Sequence, residues 1–302
     1  MPRVNRVIDL LMQDQPVFAG NVGALTHDAG VAAAATRADF FIIDFEHHPF
    51  DIVGLRAFMQ GLVAGGPTRT GHRTPPVVTT LPVLGTSAEA IRVNTWQINH
   101  LLAAGVHGLL LCHAEAPEAV AAFVSATRYP FNGRESDQLA EGRRGGGGQQ
   151  FAAEIWGLPV TEYMAKADPW PLNPEGELLL GLKVENKRAL AKRDALLAVP
   201  GIAFAEWGPG DMGMSLAPEY LLPGYHANPD FAHDPPYGPE MQTAQRDVLE
   251  ACRANKVIFY STMRPHDWRE LYAMGARMSS STPRTAEFMD DVRQLAGRTA
   301  PV

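Results

Sequence analysis

Eight short apolar runs, at residues 17–23, 40–46, 77–83, 108–113, 178–185, 202–207, 257–263 and 277–283, punctuate this chain. Runs this short and this apolar suit strands of a parallel sheet, which are covered on both faces. Amphipathic stretches with helical spacing at 28–37, 52–63, 93–104, 117–127, 189–198, 242–255 and 267–274 fill most of the intervals. Strand alternating with helix predicts an α/β fold, and eight strands are the number that closes a (β/α)₈ TIM barrel; a doubly wound sheet is the second option. At 302 residues and 46% hydrophobic content the chain can build that barrel as a single domain over 1–302.

Two irregular segments, 129–176 and 221–239, break the rhythm, the first with a glycine run from Gly145 to Gly148 and the second rich in Pro, His and Asp. Long loops in a compact domain serve as lids or partner contacts, or are locally disordered. Within the first, 151–166 has an amphipathic helical pattern that a neighbouring subunit could cover. Twenty-six basic against 33 acidic residues give a formal charge of −7 without a basic block long enough to track a phosphate backbone, so nucleic acid is excluded as a partner. Cys112 and Cys252 are the only cysteines and lack metal-finger or CxxC spacing, which fits a reduced, cytoplasmic setting. The N-terminal segment carrying Val7, Ile8, Leu10 and Leu11 is interrupted by Asp9 and Gln13, unlike a signal peptide, and no uncharged apolar stretch is long enough to span a bilayer.

In a barrel the site is built at the C-terminal ends of the strands. There the second run ends Asp44-Phe45-Glu46-His47-His48, the fifth ends Lys183-Val184-Glu185-Asn186, and the sixth ends Glu206-Trp207-Gly208-Pro209-Gly210-Asp211. Residues two apart share a face, which pairs Asp44 with Glu46 and Lys183 with Glu185. Glu185 and Asp211, carboxylates from adjacent strands, suit a hard divalent cation such as Mg²⁺ or Mn²⁺, with Co²⁺ as an option. The plainer alternative has Asp211 capping a helix and Glu185 paired with Lys183. Gly208, Pro209 and Gly210 make a turn in which backbone can approach a ligand, and Trp207 could line a pocket for an aromatic group or belong to the core. His47, with Asp44 and Glu46 near enough to orient it, is the candidate general base. Lys183 could anchor a substrate anion or, with a lowered pKa, act as a base or Schiff-base nucleophile.

At these residues the chain resembles the HpcH/HpaI aldolase family, the metal-dependent class II pyruvate aldolases. The resemblance rests on Phe41-Ile42-Ile43-Asp44-Phe45-Glu46-His47, Ala126-Thr127-Arg128-Tyr129-Pro130, Val184-Glu185 and Gly208-Pro209-Gly210-Asp211-Met212, in the family's order. It implies a (β/α)₈ barrel with a terminal helix exchanged between subunits, a homo-oligomer (hexamer or trimer), a divalent metal on Glu185 and Asp211, and His47 as base. It further implies (retro-)aldol cleavage of a 4-hydroxy-2-oxo acid or a related small oxygenated substrate. Three departures stand out: Val77-Val78-Thr79-Thr80-Leu81-Pro82 lacks the family's keto-acid arginine, Leu101-Leu102-Ala103-Ala104-Gly105 lacks the aspartate that partners the histidine, and Lys183 stands where the family has glutamine. They leave open a lyase that releases a different small carbonyl compound from an aromatic or dicarboxylic substrate, and a non-catalytic ligand-binding barrel.

Overall fold

The computed structural model describes residues 3–133, 139–216, 237–264, 266–280 and 286–298. His226, His233, Ser281, Thr282 and most of the 221–239 segment lie outside them. Among the described residues nine strands run parallel: β1 (Val17–Asn21), β2 (Phe40–Ile43), β3 (Val77–Leu84), β4 (Gly108–Cys112), β5 (Pro169–Trp170), β6 (Leu178–Val184), β7 (Phe204–Trp207), β8 (Ile258–Tyr260) and β9 (Ala276–Ser280). Eight of them close a barrel in the order β1-β2-β3-β4-β6-β7-β8-β9, with β9 returning to β1 and β4 pairing β6. The two-residue β5 only fringes the start of β6, through Pro169 opposite Leu178. It is too short to leave a run in the sequence.

The barrel interior is filled from one end. Val17 and Ala19, Phe40 and Ile42, Val78, Leu110, Leu179, Phe204, Ile258 and Met278 point inward and form one apolar cluster. Gly181 is needed here because a Cβ would meet the Phe204 ring at 2.3 Å. The same cluster takes in Val7, Ile8, Leu10 and Leu11 from the helix Arg6–Met12. That helix closes the end of the barrel where the strands begin, because Asn5 caps it through Val7 N (3.1 Å) and also donates to the carbonyl of Glu177, just before β6. A second, larger apolar layer lies between the outer strand faces and the surrounding helices.

Where the elements differ from the sequence reading, a local cause is visible. The expected 93–104 helix is two, Ala88–Val93 and Thr95–Ala103, capped by Ser87 and hinged at Asn94. The 189–198 pattern splits into Lys187–Ala191 and Arg193–Leu197. The 151–166 stretch breaks into Gln149–Trp156 and Val160–Lys166, because Gly157 ends the first in the left-handed region (φ 70°) and Pro159 precedes the second. Its apolar face does not await a neighbouring subunit. Ala152, Ile155, Trp156 and Tyr163 are buried on their own barrel, with Trp156 Nε1 donating to Gly105 O at 2.9 Å. The helix Ala286–Leu295 is seated on its own barrel, where Arg293 pairs with buried Asp39 at 3.0 Å. Among the described residues no helix is long and apolar enough to cross a membrane.

Candidate active site

The inward-facing rows become polar as the strands run toward their C-terminal ends. Phe40 and Ile42 are followed by Asp44 and Glu46, Leu179 and Gly181 by Lys183 and Glu185, Phe204 by Glu206, Val78 by Thr80, and Met278 by Ser280. Alternation therefore delivers a ring of polar side chains above an apolar plug, at the end of the barrel that Arg6–Met12 does not fill. Register sets the neighbours: Lys183 lies beside Glu206, which lies beside Tyr260.

Lys183 is at the centre of this ring. Its Nζ is 2.5 Å from Glu46 Oε2 and 3.7 Å from Glu185 Oε2. Burial alone would depress the ammonium's pKa, but the carboxylates of Glu206, Glu185 and Glu46 outweigh it and hold Lys183 well above its ordinary value. A raised pKa favours the protonated amine, which has no lone pair to attack a carbonyl, and so disfavours Lys183 as a Schiff-base nucleophile. Nor is its charge spare for a substrate anion, because three glutamates surround one lysine. Burial raises the Glu206 carboxyl to about 7, helped by Glu185 and Glu46 and opposed by Lys183. Burial also raises Glu185, against the pull of Lys183.

Thr80 occupies the β3 position facing this ring and is fully engaged. Its hydroxyl donates to Asp44 Oδ1 (2.8 Å) and accepts from the amides of Phe45 (2.7 Å) and Glu46 (3.0 Å). Burial would raise the Asp44 carboxyl, but the bonds from Thr80 and from the Glu46 and His47 amides overcome it and keep Asp44 below its usual value. Asp44 thus acts as a loop brace, and Glu46 as the residue that touches both Lys183 and His47. His47 stands at the rim, 58% exposed, with Nε2 3.4 Å from Glu46 Oε2.

The geometry adds a residue that the sequence reading passed over. His113 follows β4 with φ 44°, and its amide donates to Glu185 Oε1 at 2.7 Å. Its Nε2 lies 3.5 Å from Glu46 Oε1 and its Nδ1 3.8 Å from Glu185 Oε1. Glu46, His113 and Glu185 each offer a ligand atom, all within 4.8 Å of one another. Glu46 Oε1 and Glu185 Oε2 are buried with no hydrogen-bond partner. Two buried carboxylate oxygens without a hydrogen bond, together with an imidazole, fit a divalent cation, which would supply the close contacts those oxygens lack.

The turn after β7 comes close to Glu185. A Cβ on Gly208 would lie 2.7 Å from Glu185 Oε2 and 2.8 Å from Glu185 Cβ, so only glycine fits. Pro209 and Gly210 open the helix Pro209–Leu216, and Asp211 lies in its first turn, outside the Glu46–His113–Glu185 group. Trp207 points the other way. It is 1% exposed in the outer core, with its ring 5.0 Å from that of Tyr237, so the indole packs between sheet and helices rather than lining the ring of polar groups. Arg128 is structural: it is buried and bonded to buried Asp168 at 2.8 Å.

No family model matches the chain. A hydroxypyruvate/pyruvate aldolase from Pseudomonas aeruginosa is 27% identical over 88% of this chain and 82% of its own length. A 2-keto-3-deoxy-L-rhamnonate aldolase from Salmonella schwarzengrund is 31% identical over 73% of this chain, which spans 63% of that relative's length. A crystal structure of an HpcH/HpaI aldolase/citrate lyase family protein from Burkholderia cenocepacia superposes with a TM-score of 0.68, at 22% identity, covering 97% of this chain and 98% of the other. The chain is similar in sequence to curated aldolases and in fold to an HpcH/HpaI aldolase/citrate lyase family structure. The departures from the expected HpcH/HpaI pattern fall in the ring itself: Thr80 braces the loop after β2, and Lys183 stands beside Glu206 in register.

Proposed function

We propose that this HpcH/HpaI lyase performs divalent-metal-dependent (retro-)aldol chemistry on a small 2-oxo acid carrying further hydroxyl groups. The observation that carries the reading is the Glu46–His113–Glu185 group, in which one oxygen of each carboxylate is buried without a hydrogen-bond partner. Around them the charges do not balance, with Glu46, Glu185 and Glu206 against Lys183. A divalent cation, Mg²⁺ or Mn²⁺, offsets that excess, and the reading assigns Asp211, in the first turn of the helix that follows Gly208, as a further ligand. When bound, the cation supplies a Lewis acid that stabilises negative charge developing on substrate oxygens.

The chain's own groups then divide the work. His47 at the rim removes or returns the proton on the carbon next to the carbonyl, and Glu46 orients its imidazole. Lys183 holds Glu46 in place by the 2.5 Å bond and keeps the carboxylate ring from repelling an anionic substrate. Gly208, Pro209 and Gly210 present backbone beside Glu185, where a substrate oxygen can be received.

The relatives' names support this substrate class: one is a hydroxypyruvate/pyruvate aldolase and the other a 2-keto-3-deoxy-L-rhamnonate aldolase. A second reading, release of a different small carbonyl compound, is favoured by Thr80: its hydroxyl is spent on Asp44 and two amides, leaving no guanidinium on β3 to grip a keto acid. Exchange of pyruvate methyl protons in D₂O separates the two. Metal-dependent exchange above the enzyme-free rate, lost in His47→Gln, is the result expected; no exchange with Mg²⁺, Mn²⁺ or Co²⁺ would remove pyruvate as the nucleophile and leave the second reading.

A further inference from the structure

At the opposite end of the barrel, where the strands begin, a cavity of about 170 Å³ is lined by Arg3, Thr70, His72, Arg73, His107 and Trp156, among others. No Asp or Glu is among its lining residues. His107 precedes β4, is 1% exposed, and stacks on Trp156 with ring centroids 5.3 Å apart and planes 8° off parallel. Its Nδ1 accepts the Val77 amide at 3.2 Å, so that nitrogen carries no proton. Burial pushes the ring down to about 3, which keeps it neutral and leaves its one N–H on Nε2. That donor has no partner among the described residues. His72 is bonded at Nδ1 to Thr70 Oγ1 (2.9 Å), while its Nε2 is buried and unpartnered. Arg73 donates its Nε to Ile155 O (3.0 Å) and makes no ion pair among the described residues. Arg3, by contrast, already faces Asp9 (3.6 Å) and Glu177 (3.7 Å).

A concave, acid-free wall with a neutral buried N–H donor and an uncompensated guanidinium is the chemistry that receives an anion. The volume suits a group the size of phosphate or a short carboxylate and excludes a nucleotide. We propose that this cavity is a second ligand site, distinct from the polar ring, that binds a small oxyanion through Arg73 and the Nε2–H of His107. The site also touches the plug of the barrel, because Asn5, which caps the helix Arg6–Met12, contacts the carbonyl of His107 at 3.4 Å. Occupancy therefore ties the plug to β4 and to the helix Gln149–Trp156 and stabilises the fold by mass action.

The test is thermal unfolding of the full chain across concentrations of inorganic phosphate and, separately, acetate, each against chloride at matched ionic strength. A saturable rise in Tm is expected with at least one of the two, and which anion gives it identifies the oxyanion class. In Arg73→Gln, at an exposed position, half-saturation moves to ~10-fold higher anion concentration, the effect of one lost charge-assisted hydrogen bond. In Glu185→Gln, at the other end of the barrel, half-saturation stays where it is in the wild type. A proton NMR titration adds a direct readout, the His107 Nε2–H resonance shifting with the same midpoint. No saturable response to either anion means the cavity holds only water and overturns the proposal. So does an unchanged midpoint in Arg73→Gln, or a response abolished by Glu185→Gln.

Discussion

Replacing Glu206 with glutamine isolates the electrostatic stress in the barrel. The glutamate lies beside Lys183 in register, yet burial and two further glutamates win over that one ammonium and move its carboxyl from 4.5 to about 7. The folded state thus holds a proton that the unfolded chain releases near pH 4.5. Between those values the folded state binds more protons than the unfolded one, so stability falls as pH rises through the window and the full penalty stands above pH 7. At about 1.4 kcal/mol per pH unit, this amounts to at most about 3 kcal/mol. Glutamine mimics the protonated carboxyl and removes the penalty. Chelator-treated wild type and Glu206→Gln should be unfolded in urea at several pH values from 4.5 to 8, reading the difference in stability so that titrating groups away from the ring cancel. The variant gains on the wild type with rising pH, approaching about 3 kcal/mol by pH 8. A difference that stays flat to within about 0.5 kcal/mol, or that turns against the variant, would mean that Lys183 dominates Glu206 and that the charge account of the ring is wrong.

Three other substitutions test separate parts of the structure. Gly208→Ala places a methyl 2.7 Å from Glu185 Oε2, and displacing that carboxylate lowers kcat/KM by ~100-fold while the unfolding midpoint shifts little; near wild-type kinetics would contradict the close approach. Arg128→Met leaves Asp168 buried and unpaired, which destabilises the fold by about 3–5 kcal/mol in denaturant titrations, whereas a loss under about 1 kcal/mol would show that the pair is not structural. Lys183→Met removes the ammonium that holds Glu46; aldol activity falls and is not restored by raising the pH, an outcome a Schiff-base lysine would share only if borohydride trapped a covalent adduct in the wild type, and no adduct is expected.

Much of the fold was legible because burial writes itself into composition. Runs such as Leu178-Leu179-Leu180-Gly181-Leu182 suit strands covered on both sides, and eight of them alternating with helices favour a closed barrel over a doubly wound sheet. Site residues that end such runs, Lys183 and Glu185 or Asp44 and Glu46, could be assigned to a shared face from the two-residue period alone. What stayed hidden needed register between strands. That Glu206 neighbours Lys183 follows from the pairing of β6 with β7, and the role of Thr80 from β3 lying beside β2. His113 ended a recognised run, and only its positive φ and its bond to Glu185 single it out. Trp207 misled because an indole beside a Gly-Pro-Gly turn reads equally as pocket wall or core; its place one residue after inward-facing Glu206 sends it outward.

The central claim, a divalent cation held by carboxylates of the polar ring, is tested most directly by calorimetric titration of chelator-stripped protein with Mg²⁺ and Mn²⁺, alongside Glu46→Gln, Glu185→Gln and Asp211→Asn. One saturable site in the wild type, weakened at least ~10-fold by Glu185→Gln and by Glu46→Gln, is the predicted result, and the size of the Asp211→Asn effect measures how far the helix after β7 takes part. No binding to the wild type, or wild-type affinity in both glutamine variants, would contradict it.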